Sequence, residues 1–117
     1  MKLMLENLPP ALRVHTDALR QCLEACDREM SMQAVYLFGS YARGVAGPDS
    51  DVDLCLVSAG AEHQLEAAAR FRHVMWDIWP RPAFTLVPIS PKRLAEKQAR
   101  GDHFFRTILQ EGIQLAS

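Results

Sequence analysis

The stretch Val35-Tyr36-Leu37-Phe38-Gly39-Ser40-Tyr41-Ala42-Arg43-Gly44, followed after a short loop by Ser50-Asp51-Val52-Asp53-Leu54, governs the reading of the whole chain. Residues 33 to 38 are rich in strand-forming side chains and stop at Gly39. Ser40 to Arg43 predicts a short helical turn. Gly44 to Ser50 predicts a loop, with Gly44, Gly47, Pro48 and Ser50 as breakers. Asp51 to Val57 predicts a second strand. A glycine at a strand end lets the backbone approach a ligand without a Cβ in the way. A helix start behind it offers free N–H groups and a positive dipole end, both suited to phosphate. The Ser40 hydroxyl adds a donor, and Arg43, three residues on, can face the same anion. No Gly-Lys-Ser/Thr follows, so the P-loop of ATPases is excluded.

Side chains alternate along a strand, so Asp51, Asp53, Cys55 and Val57 share one face and Val52, Leu54 and Leu56 the other. Two carboxylates on one face of a mostly apolar strand repel each other and lose solvation. A divalent cation resolves that conflict, and hard oxygen ligands suit Mg²⁺. Taken alone, the pair fits a solvated strand end equally well. Together with the upstream turn it forms Gly-Ser-x10-Asp-x-Asp, a pattern that chance places in a chain of this length on the order of once in a thousand.

Working outward, Pro9 and Pro10 suit a helix start, and Leu12, Leu19, Leu23 and Cys26 recur near a 3.6 period, predicting a helix over 8–30. A second long helix is expected over 61–77, ended by Pro80 and Pro82, and a third strand over 83–89. Ser90 caps a helix from Pro91 to about Arg100, and a last helix runs over 102–111 until Gly112 stops it. The order α-β-β-α-β-α-α predicts an α/β (α+β) fold, a small mixed sheet flanked by helices. The 117 residues are expected to form one domain over 1–117.

Composition narrows the function classes. The net charge of −1 lacks the basic field of a protein that binds duplex nucleic acid through its own surface. Three cysteines, an odd number without paired metal spacing, point to a reducing compartment. Cys22 and Cys26 read as one helix face and Cys55 as strand core. No apolar run reaches the ~18 residues of a membrane span. The N-terminus has no basic segment leading into an apolar one, so the expected location is cytoplasmic. His15, His63, His73 and His103 are scattered, and Trp76 and Trp79 read as core or interface anchors. Lys92, Arg93, Lys97 and Arg100 follow helical spacing and read as a solvated face.

Residues 35–44 and 50–54 resemble the small nucleotidyltransferases of the DNA polymerase β-like superfamily almost residue for residue. The segment Phe104 to Leu115 looks like the tail of its minimal nucleotidyltransferase domains. The resemblance implies transfer of a nucleoside monophosphate, AMP by preference, from ATP or another NTP to an acceptor hydroxyl. It implies that Gly39, Ser40 and Arg43 contact the triphosphate and that Asp51 and Asp53 bind metal, with two Mg²⁺ ions. It also implies a separate partner, a small helical protein of the HEPN type, which the transferase modifies as the antitoxin of a toxin–antitoxin pair. A homo-oligomer stays open. One departure stands out. Relatives carry a third carboxylate on the next strand, and here Thr85 falls at that place. The alternative is therefore a catalytically impaired module that binds nucleotide or a partner without turnover.

Overall fold

A computed structural model describes residues 1–117. After two 3-10 segments, Leu5–Asn7 and Pro10–His15, the chain forms α1 (Thr16–Glu29), β1 (Ala34–Phe38) and α2 (Gly39–Arg43). It continues through β2 (Val52–Val57), α3 (Gln64–Met75), β3 (Phe84–Ile89), α4 (Pro91–Ala99), α5 (His103–Glu111) and β4 (Ile113–Ala116). The α+β class is as expected. The four-stranded sheet has the order β3-β2-β1-β4. β2 pairs parallel with β3, and β1 pairs antiparallel with both β2 and β4, so the sheet is mixed.

Alternation along β2 divides the molecule. Val52, Leu54 and Leu56 turn toward α1 and α3 and join a core of 22 buried residues that includes Leu19, Leu23, Phe71 and Met75. Cys55 and Val57 turn the other way, into a cluster of 5 buried residues with Ile89, Phe105 and Ile108 beneath α4 and α5. Both faces of β2 are therefore covered, as a central strand with a parallel neighbour requires.

Two expectations need correction. The helix expected over 8–30 is α-helical only from Thr16, and Pro10–His15 is 3-10. Adjacent prolines supply no N–H to an α-helical ladder, and the chain closes the tighter turn from Leu12 N–H to the Pro9 carbonyl at 2.9 Å. A fourth strand, β4, follows Gly112 and pairs with β1 at the sheet edge. Gly112 ends α5 as expected, but not through a left-handed backbone, since its φ is −69°. A Cβ there would press against the Ile108 and Leu37 carbonyls, so glycine is needed for the tight passage from α5 into β4. Elsewhere the element ends move by a few residues. Ser90 and Asp102 sit just outside α4 and α5 and accept from the Arg93 and Phe105 N–H groups at 3.2 and 3.0 Å. No helix is long and apolar enough to cross a membrane.

Candidate active site

β1 delivers its last residue, Phe38, directly opposite Asp53 of β2. The chain then turns sharply at Gly39, whose φ of 75° lies in the left-handed region that a side chain disfavours. Space imposes the same demand, because a Cβ on Gly39 would fall on the Asp53 carboxylate. The turn feeds α2, which carries half-buried Ser40 near its start and exposed Arg43 at its end. Gly39, Ser40, Arg43 and Asp53 therefore converge, as the spacing predicts, and line one cleft of about 400 Å³.

Asp51 stands just before β2 and is exposed, whereas Asp53 is half-buried. Thr85 of β3 pairs in register with Asp53 and donates its hydroxyl to Asp51 Oδ2 at 3.2 Å. This register puts Thr85 where the sequence reading expects it, beside both aspartates. Burial raises the Asp53 carboxyl above its ordinary value, and the neighbouring Asp51 charge adds to the rise. The Thr85 hydroxyl and the Arg43 guanidinium oppose it. A threonine has one proton to give. It goes to Asp51, and no third acid joins the carboxylate pair.

The cleft's opposite wall was not read from the sequence. Phe104, Thr107, Ile108 and Glu111 of α5 line it, together with Phe38, Ala42 and Gly112. The available signal was helical spacing, since residues 104, 107, 108 and 111 share one helix face. A larger hollow, about 490 Å³, lies over α1 and α3 between Arg28, Glu29, His73, Trp76 and Asp77. It is away from the carboxylate pair and lacks the glycine turn. Asp77 is therefore no stand-in for a third carboxylate at Thr85. No group of three or more His, Cys, Asp or Glu side chains is assembled for a metal ion. Trp76 and Trp79 are 77% and 67% exposed, so the core half of their reading fails. The Arg81 guanidinium stacks over the Trp79 ring at 4.6 Å. Cys55 is core as expected, its thiol pushed up to about 12 by burial and so inert as a nucleophile.

Residues 19–111 match the family model of the nucleotidyltransferase domain. The chain belongs to that family, whose chemistry is transfer of a nucleotidyl group from a nucleoside triphosphate. Its fold is similar to that of a Sulfolobus solfataricus crystal structure assigned to the nucleotidyltransferases, with a TM-score of 0.54 at 17% sequence identity. The likeness covers 84% of this chain and 76% of that one. No curated protein matches the chain.

Proposed function

We propose that the chain transfers a nucleoside monophosphate, AMP from ATP by preference, to a hydroxyl of a protein acceptor in a Mg²⁺-dependent reaction. The observation that carries this reading is the packing of the Gly39 turn directly on the Asp53 carboxylate. It supports the reading by joining a turn whose backbone suits an anion to a strand end that carries carboxylates. Ser40 and the 39–40 backbone hold the terminal phosphates, and Arg43, which is in no ion pair, neutralises them. Asp51 and Asp53 are the metal ligands. Two carboxylates on one strand face, one of them held above its ordinary pKa, are a donor set that a hard divalent cation relieves. When bound, the cation orients the α-phosphate and offsets charge that builds during in-line attack. Asp51 and Asp53 are the side chains that would hold the metal, and Thr85 beside them adds no third carboxylate.

The family's minimal members suggest an acceptor on a small helical HEPN-type partner, with the transferase as antitoxin. That step rests on analogy. A second reading is favoured by Thr85, whose hydroxyl cannot serve as a carboxylate base or strong ligand. On that reading the chain binds Mg²⁺-nucleotide without turnover.

The test replaces Asp51 and Asp53 together with Asn, which removes both charges and keeps shape. Calorimetry with Mg²⁺ and ATP is expected to show binding lost or weakened by about a hundredfold or more, equivalent to several kcal/mol. Unchanged affinity in a folded double variant would remove the metal site from these residues.

A further inference from the structure

The phosphate and metal reading uses one wall of the cleft, at Gly39, Ser40, Arg43 and Asp53. The facing wall is built by α5 from Phe104, Thr107 and Glu111. At about 400 Å³ the cleft is in the range that encloses a whole small ligand rather than a phosphate group alone.

Glu111 breaks a local rule. It is the last residue of α5, where the negative end of the helix dipole disfavours a carboxylate. No basic side chain in that last turn offsets it, and it forms no ion pair anywhere. A residue that opposes its own helix with no compensating contact points to function rather than stability. The cleft thus carries charges of both signs, Arg43 from α2 and Glu111 from α5. A triphosphate, which brings only negative charge and acceptors, is drawn to Arg43 and repelled from Glu111. An ionised carboxylate only accepts hydrogen bonds, so what lies against Glu111 must supply donors. On a nucleotide oriented this way, the ribose hydroxyls are such donors. Phe104 is 47% exposed, yet its ring is held edge-to-face by Phe38 at 5.6 Å and by Phe105 at 5.1 Å. A fixed, half-open aromatic ring beside a phosphate site is a platform for a base.

We propose that the α5 wall is the nucleoside subsite, with Phe104 carrying the base and Glu111 accepting from the ribose 2′-hydroxyl, so that the site selects ribonucleoside over 2′-deoxyribonucleoside triphosphates. This rests on the reading that Gly39, Ser40 and Arg43 hold the triphosphate.

The experiment measures Mg²⁺-dependent binding of three probes to the full chain by calorimetry. They are a non-hydrolysable ATP analogue, its 2′-deoxy counterpart and inorganic tripolyphosphate. The wild type should favour the ribonucleotide by about tenfold or more, the worth of one hydrogen bond to a charged group. Glu111→Ala should erase that preference, leave tripolyphosphate affinity equal or higher, and not lower the Tm. Glu111→Gln, neutral and of the same shape, should narrow the preference. Phe104→Ala should weaken both nucleotides by about tenfold and leave tripolyphosphate unchanged. Equal ribo and deoxy affinities in the wild type, or a preference that survives Glu111→Ala, overturns the subsite while tripolyphosphate binding preserves the phosphate reading. A wild type that binds none of the three probes overturns both.

Discussion

The two faces of the sheet are built from the same strands and differ in what they are for. Toward α1 and α3, β2 contributes Val52, Leu54 and Leu56 to a continuous core of 22 buried residues. Toward α4 and α5, the same strand contributes Cys55 and Val57 to a cluster of only 5, and its leading end there is Asp53, preceded by Asp51. The first face supplies most of the apolar burial and so most of the stability. The second is sealed only at the far end of β2. At the near end the cover lifts, and a cleft opens over a half-buried carboxylate. One face can therefore carry the thermodynamic load while the other tolerates charge repulsion and an unpaired Glu111.

The contrast breaks most visibly in the core. Phe71 of α3 is fully buried against the first face, and Phe71→Ala should cost about 3–5 kcal/mol in chemical denaturation. That is a large part of the 5–15 kcal/mol typical of a domain. Nucleotide affinity per folded molecule should stay unchanged, and a small stability loss would mean that the load is shared between the faces.

On the other face the expected change is in rate. Thr85 sits in register with Asp53 and against Asp51, so Thr85→Asp completes a three-carboxylate site. Labelled AMP transfer to a protein acceptor should rise by about a hundredfold, within the usual range for a general base. Without metal the same variant should melt earlier, because three carboxylates then crowd one point. Rapid Mg²⁺-dependent transfer by the unaltered chain would show that Thr85 is no defect.

The smallest effect concerns Asp53 itself. Its raised carboxyl means that the folded chain holds this proton more tightly than the unfolded chain. The group therefore favours folding most below its ordinary value of 3.8, and stability falls as pH rises through the raised value. Asp53→Asn should remove that cost, giving a small gain in Tm at neutral pH that vanishes below pH 3.8. A variant less stable than wild type at pH 7 would show that the carboxylate is structurally satisfied.

Much of this division was legible in advance. Period-2 alternation placed Asp51 and Asp53 on the face opposite Val52, Leu54 and Leu56, and the β2–β3 register brought Thr85 beside them. The alternation is local geometry, which a sequence carries directly, whereas the place of Thr85 was an expectation from the resemblance to the nucleotidyltransferases. β4 was not legible, because Ile113 to Ala116 is short and becomes a strand only by pairing with β1. The 3-10 path at Pro10–His15 was hidden because its one buried side chain, Leu12, also fits the 3.6 period of the helix that follows. The α5 wall of the cleft was missed for a similar reason. Phe104 and Glu111 read as an ordinary amphipathic helix until the fold lays that helix beside the Gly39 turn.

The pairing of Phe38 with Asp53, and the seat of Gly39 on the Asp53 carboxylate, also bear on what sets the dimensions of the site. Of the ten residues between Ser40 and Asp51, the first three complete α2 and residues 44–50 run out through a mostly exposed loop and back. They join the two halves of the site without measuring the gap between them. Cross-strand register does the measuring, much as a hinge pin fixes two plates whatever the length of the strap that links them. Beyond Gly44, whose φ of 74° favours glycine at the end of α2, the length of the loop therefore leaves the gap unset, while a single-residue slip of β1 against β2 would dismantle the site at once.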